Sequence, residues 1–307
     1  MAIQRNDLVV EVAGLTKAYN GNTVVDDVAF DVADGEIFGI VGVNGAGKTT
    51  VVECLQGLRR PDHGRLRVLG LDPLHHQRQL RSLVGSQLQA SALPDRLRVH
   101  EAVALFAGPA LRDPTPLLAT WGLNTKSRTS FADLSGGQRQ RLFIILALLN
   151  NPRIVFFDEL TQGLDPIARR DVWNAILDVR AHGATVVLVS HFMDEAEALC
   201  DRVAVMAAGR IIDTGTPAEL VHRLARATTV TFTPPASFDP ATLAQLPDVD
   251  RVERDGERVR VVGGPTLVAP VCAATLDDLG HGPPDLQVHQ PTLEDALRTL
   301  IANGAPT

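Results

Sequence analysis

Aromatic side chains are scarce in this 307-residue chain, making up 4% of it, and Tyr19 is the only tyrosine. Cysteine is scarcer still: Cys54, Cys200 and Cys272 lie far apart, with no Cys-x-x-Cys and no Cys/His cluster at zinc spacing. That excludes a disulfide framework and a structural zinc site, and it points to reduced structural thiols in a cytosolic compartment. A large excess of either charge is also missing. The 29 basic and 36 acidic residues leave a net charge of -7, so no global field draws the chain to nucleic acid or anionic lipid. Long apolar runs are absent as well: "LFIILALL" (142–149) and "TVVLVS" (185–190) fall far short of the roughly 20 residues that cross a bilayer. The opening "MAIQRNDLVVEV" has no secretory pattern, and the chain alone is not expected to be a channel or carrier. What remains is a globular composition, 45% hydrophobic, with length for about two domains.

Residues 8–33 read as short strands, with turn signals at Asn20-Gly21 and Asp34-Gly35. "EIFGIVGV" (36–43), "RIVFFD" (153–158) and "ATVVLVS" (184–190) are nearly continuous apolar runs. Buried parallel strands read this way because both faces are covered. Each later run follows a helical pattern, so the chain is expected to be α/β. From about residue 90 the strand signal gives way to proline-broken helical patches, a helical subdomain over about 90–150. Beyond residue 225 the texture changes. Strand "TTVTFTP", helix "PATLAQL", a hairpin turning on Asp255-Gly256, a second helix and strand "DLQVHQ" give βαββαβ, a ferredoxin-like arrangement. A closing helix follows, capped by Thr292 with Asp295 three residues on.

"GVNGAGKT", Gly42 to Thr49, fits the phosphate-loop pattern G-x-x-x-x-G-K-[ST] in full. Gly42, Gly45 and Gly47 let the backbone curl with N–H groups pointing inward. Val43, Asn44, Ala46 and Thr50 complete the loop around a nucleotide's phosphates. The helix behind it aims its positive dipole end at them. Lys48 reaches the terminal phosphates as a point charge, and the Thr49 hydroxyl is a Mg²⁺ ligand.

Two acids, Asp158 and Glu159, end the second buried run. Beside a phosphate loop, Asp158 would hold Mg²⁺, and Glu159 would polarise the attacking water. His191 ends the third run, at the strand edge where ligands of open α/β sheets gather, and is expected to contact the γ-phosphate. Tyr19, next to a turn, either stacks on adenine or caps a strand.

"LSGGQ", Leu134 to Gln138, also opens a helix. Ser135 is a good N-cap, and Gly136 and Gly137 permit close backbone approach. This second anion cradle has no lysine or magnesium ligand of its own. On that chemistry it is half a site, complete only if a second copy supplies the rest.

The phosphate loop, "LSGGQ", "IVFFDE" (154–159), "GLDP" (163–166) and His191, in that order, resemble the ATP-binding subunit of an ABC transporter over roughly residues 8–225. The resemblance implies an ABC-type P-loop NTPase fold, with an antiparallel β subdomain and a helical insertion. It makes residues 1–225 the ATPase domain and 226–307 an accessory domain. It further implies ATP and Mg²⁺ as cofactors, and a head-to-tail dimer with a second copy or a homologous subunit. Ser135 and Gly137 would touch the ATP of the partner, and Asp165 would lie at the interface. Register selects Gln89 over Gln87 as the glutamine that senses Mg²⁺ or the attacking water. A separate multi-helix permease would hold the chain at the cytoplasmic face of the membrane, and no nucleic acid is expected. The family commonly has proline where Leu160 follows the catalytic glutamate. The tail from 228 and the region around Gln89 resemble a subgroup that exports drugs, lipids or polysaccharides and includes daunorubicin-resistance-type subunits. Importer subunits, and soluble relatives acting on ribosomes or DNA, share the cassette motifs.

Overall fold

In the computed structural model the described residues are 8–87, 93–107, 113–224, 227–234, 238–264, 266–279, 283 and 285–302. Two compact units meet in the chain at Pro217–Ala218.

The first unit opens with strands β1 (Leu8–Tyr19) and β2 (Asn22–Ala33), joined at Asn20-Gly21, where both residues take positive φ (50° and 85°). Such a turn matches the twist of the flanking strands. Then come β3 (Ile37–Val41), α1 (Lys48–Leu55), β4 (His63–Val68), α2 (Gln77–Leu80) and β5 (Val84–Gln87). β4 joins β1 and β2 in an antiparallel sheet ordered β2-β1-β4. Short helices α3 (Val99–Phe106) and α4 (Thr115–Thr120) stand where the helical subdomain is expected, ahead of α5 (Gly136–Leu148). The remaining elements are β6 (Ile154–Asp158), α6 (Pro166–Ala181), β7 (Thr185–Ser190), α7 (Met193–Leu199), β8 (Arg202–Ala207) and β9 (Arg210–Gly215).

These build a six-stranded sheet ordered β5-β6-β7-β3-β8-β9, parallel except for β9. β3, β6 and β7 are buried along their whole length, which explains why they are apolar except at the ends of β6 and β7. Phe38 and Phe156 join the main core, each fully buried. Burial of each is worth about 1.5–3 kcal/mol relative to exposure. The register sets Val41 beside Ser190 and Asp158 beside Val189. The residues that follow β3, β7 and β6 therefore leave the sheet along one edge.

The second unit contains α8 (Pro217–Leu224) from Ala218 onward, β10 (Thr228–Phe232), a 3₁₀ turn (Pro240–Gln245), β11 (Val249–Asp255), β12 (Arg258–Gly263), α9 (Val268–Leu279), β13 (Gln287–His289) and α10 (Leu293–Ala302). Its antiparallel sheet is ordered β11-β12-β10-β13, the ferredoxin-like order. Two local readings change. The first helix is a 3₁₀ turn, capped by Asp239 with Pro240 at its start. The hairpin turns one residue later than expected, because Asp255 pairs with Arg258. Gly256-Glu257 are therefore the central pair, and Gly256 carries the positive φ of 63°. The Thr292 cap is present: its Oγ1 accepts from the Asp295 N–H at 3.2 Å, and the Asp295 carboxylate accepts from the Thr292 N–H at 3.0 Å.

Candidate nucleotide site

The loop between β3 and α1 is shaped by two glycines that nothing else could replace. Gly42 has φ 156°, and a Cβ there would meet the Met206 carbonyl oxygen at 2.0 Å. Gly47 has φ 97°, and a Cβ would meet the Val24 carbonyl oxygen at 2.5 Å. Gly45, at φ 80°, faces open space. Val43, Asn44 and Gly45 form an exposed rim, and Ala46 is buried beneath it. Lys48 folds back over the loop, its Nζ donating to the carbonyls of Gly42 at 2.8 Å and Val43 at 3.0 Å. Burial pulls the Lys48 pKa down, opposed by the nearby charges of Glu159 and then Asp158. Thr49 and Thr50 follow it at the half-buried start of α1.

Asp158 is fully buried, and neither carboxylate oxygen has a hydrogen-bond partner. Burial pushes its pKa up to about 6; the Thr49 hydroxyl beside it, outside hydrogen-bond geometry, works in the opposite direction. A buried carboxylate with two orphaned oxygens is costly on its own. It fits a divalent cation held with the Thr49 hydroxyl.

Glu159 has a left-handed backbone, φ 51°, a conformation that costs a non-glycine residue about 1–2 kcal/mol. Its N–H donates to the Val189 carbonyl at 2.9 Å, which anchors the turn to β7. Its Oε1 stands 3.4 Å from His191 Nδ1, short of hydrogen-bond geometry for that nitrogen. Leu160 is fully buried, so the residue in the usual proline position is part of the core.

Lys48, Thr49, Asp158, Glu159 and His191 thus share one end of the sheet. Gln87 ends β5 opposite Phe157 and is buried. Gln89 lies outside the described residues. Tyr19 sits at the β1–β2 turn with two cations over its ring, Lys17 Nζ at 5.4 Å and the Arg59 guanidinium at 5.9 Å.

Ser135 caps α5. Its Oγ accepts from the Gln138 N–H at 3.4 Å, and the Gln138 side chain accepts from the Ser135 N–H at 3.0 Å. Leu134 is buried, Gly136 faces open space, and Gly137 lies 3.7 Å (as a Cβ would sit) from the Ala168 Cβ of α6. Asp165 caps α6, accepting from the N–H groups of Ile167 and Ala168 at 3.0 Å each.

Sequence reasoning missed one buried group, Glu195, at the start of α7. It is fully buried and accepts from Ser190 Oγ at 2.5 Å and Trp173 Nε1 at 3.1 Å. The only signal in the sequence was a run of acids, "MDEAEAL", which reads as charge favouring a helix N-terminus.

Residues 25–162 match the ABC transporter family model. The Nod factor export ATP-binding protein I of Rhizobium johnstonii (strain DSM 114642 / LMG 32736 / 3841) is 36% identical over 260 residues, 81% of this chain and 82% of that protein. Its namesake from Paraburkholderia xenovorans (strain LB400) is also 36% identical over 260 residues, covering 82% and 84%. Among solved structures, an ATP-binding subunit of an ABC transporter superposes with a TM-score of 0.64 at 28% identity, covering 71% of this chain and 93% of that one. An Atm1-family bacterial ABC exporter with ATP bound gives 0.64 at 27% identity, covering 72% of this chain and 41% of that one. No helix among the described residues is long and apolar enough to cross a membrane. The chain belongs to the ATP-binding subunits of ABC transporters, ATPases coupled to transport through a membrane permease.

Proposed function

We propose that this chain hydrolyses ATP to drive an exporter, closing head to tail on a second copy around two ATP molecules. The observation that carries the reading is the orphaned, fully buried Asp158 carboxylate beside Lys48, Thr49 and the Glu159–His191 pair. Thr49 and Asp158 would hold Mg²⁺, with Gln89 as the proposed third contributor. The ion, when bound, neutralises phosphate charge. Lys48 releases the loop carbonyls and binds the terminal phosphates, while the backbone N–H groups of Gly42–Thr50 line the rest. Glu159 orients water and accepts its proton, and His191 contacts the γ-phosphate. Tyr19 takes the adenine ring.

"LSGGQ" supplies the other half of each site. Ser135, Gly136 and Gly137 open α5 toward solvent, so a partner's phosphate can approach the helix N-terminus. Asp165 lies at the same interface. By this reading residues 1–225 are the motor, and 226–307 an accessory domain for packing or regulation. The likeness to Nod factor export ATP-binding proteins supports export, and the tail supports a subgroup that exports drugs, lipids or polysaccharides, of the daunorubicin-resistance type. A separate permease would select the cargo and hold the chain at the cytoplasmic face of the membrane.

Purification of tagged Glu159→Gln from its source membranes, in mild detergent with ATP and Mg²⁺, tests this. Recovery of a stoichiometric multi-helix membrane protein supports the motor. Recovery alone, or with ribosomes or DNA, contradicts it.

A further inference from the structure

Glu195 is a fully buried carboxylate that no proposed step uses. A buried acid is retained at a cost unless its oxygens are satisfied. Here two donors from different elements converge on it. The Ser190 hydroxyl, at the end of β7, donates to Oε2 at 2.5 Å, and the Trp173 indole N–H of α6 donates to Oε1 at 3.1 Å. The Thr161 hydroxyl, two residues past Glu159, lies beside the same carboxylate without reaching hydrogen-bond geometry. A glutamine amide has one oxygen: with it on the indole, its NH2 faces Ser190 Oγ, and the hydroxyl turns away from residue 195 to donate instead to the Phe192 carbonyl, 3.4 Å away.

The surrounding contacts extend this link. Ser190 Oγ, while donating to Glu195, accepts from the Phe192 N–H at 3.0 Å. It therefore holds the backbone on both sides of His191, whose ring lies 4.0 Å from that of Phe192. Arg169 of α6 lies over the rings of Phe192 and Trp173, at 4.5 and 5.4 Å. Its guanidinium also grips both oxygens of Asp194, at 2.9 and 3.0 Å. α6 starts at the cap residue Asp165, so the helix leaving the proposed dimer interface is tied to the strand end carrying His191.

We propose that Glu195 is a positioning residue. It fastens the Ser190–His191 strand end to α6, and so sets where His191 stands relative to Glu159 and the γ-phosphate. This rests on the hydrolytic roles proposed for Glu159 and His191. Displacing a reacting group by about 1 Å costs on the order of 100-fold in rate, so loss of one bond here reads out in turnover rather than in ATP affinity.

The experiment compares steady-state ATPase kinetics and thermal melting of the full chain with those of Glu195→Gln, Ser190→Ala and the double variant Glu195→Gln/Trp173→Phe. Glu159→Gln and His191→Ala are measured alongside. Glu195→Gln is expected to lower kcat about tenfold or more, with KM for ATP within about twofold of the parent. Removing the indole N–H in the double variant frees the one remaining acceptor for Ser190, so kcat recovers toward the parent. Ser190→Ala lowers kcat similarly, and provides the same test should Glu195→Gln melt early. In a His191→Ala background, Glu195→Gln adds little further loss. The inference is overturned if Glu195→Gln and Ser190→Ala turn over normally, if losses fall on KM and melting together, or if the double variant is worse than Glu195→Gln alone. If Glu159→Gln and His191→Ala also keep full turnover, the hydrolytic reading beneath it fails as well.

Discussion

Glu159 Oε1 and His191 Nδ1 stand 3.4 Å apart across adjacent strands, and Glu159 holds that place in a left-handed backbone conformation. The turn is pinned by its own N–H on the Val189 carbonyl. A carboxylate and an imidazole aimed at one sheet edge, next to Lys48, can hold a water on one side and a phosphate on the other.

Glu159→Gln keeps the shape of that side chain and removes its basicity. ATP affinity is expected to stay close to the parent, with kcat lower by about 10²–10⁴-fold. Nucleotide titration by calorimetry and single-turnover hydrolysis separate the two effects. Unchanged turnover would remove Glu159 from the chemistry.

The phosphate loop makes a sharper structural prediction. Gly42→Ala drives a Cβ into the Met206 carbonyl, whereas Gly45→Ala meets nothing within 4 Å and keeps only its φ of 80° as a cost. Gly42→Ala is expected to lose stability by about 3 kcal/mol or more, and Gly45→Ala by about 1 kcal/mol. Urea denaturation of the two variants ranks them, and an equal cost would contradict the loop geometry.

Asp158→Asn tests the buried carboxylate. With no partner on either oxygen and its pKa raised to about 6 by burial, the charge destabilises the nucleotide-free protein. The amide should raise stability without nucleotide by about 1–3 kcal/mol, while Mg²⁺-dependent hydrolysis falls. Melting without nucleotide, set beside ATPase rates across a Mg²⁺ titration, reads both. A variant both less stable and fully active would contradict the assignment.

Much of this site was legible because its motifs are steric. A phosphate loop needs glycine where a Cβ would strike backbone, as at Gly42 and Gly47, and a strand buried on both faces is apolar except at its ends, as in β3, β6 and β7. Glu195 was not legible. An acid in the first turn of a helix has the same sequence signature whether it faces solvent or accepts from a buried tryptophan and serine. The 3₁₀ turn at Pro240–Gln245 escaped for a related reason, since six residues opening on proline fit either helix type. For Tyr19, stacking or strand capping stayed open in the sequence, and the structure sets Lys17 and Arg59 against its ring.

Ser135 caps a helix and is proposed to face a partner's phosphate, and the two roles can be separated. Its Oγ caps α5 through the Gln138 N–H, so Ser135→Ala should cost about 0.5–2 kcal/mol. Ser135→Asp keeps a capping oxygen but brings negative charge toward a partner's phosphate. It is expected to restore melting temperature and not ATPase activity. Recovery of both would reduce Ser135 to a cap.

The central claim is that two copies complete each other's sites only when ATP is bound. Sedimentation velocity of Glu159→Gln tests it most directly, run with ATP and Mg²⁺, with ADP and Mg²⁺, and with no nucleotide. The account predicts a dimer with ATP and a monomer in the other two, with the dimer abolished by adding Ser135→Asp. A chain that stays monomeric with ATP, or is dimeric regardless of nucleotide, would contradict it.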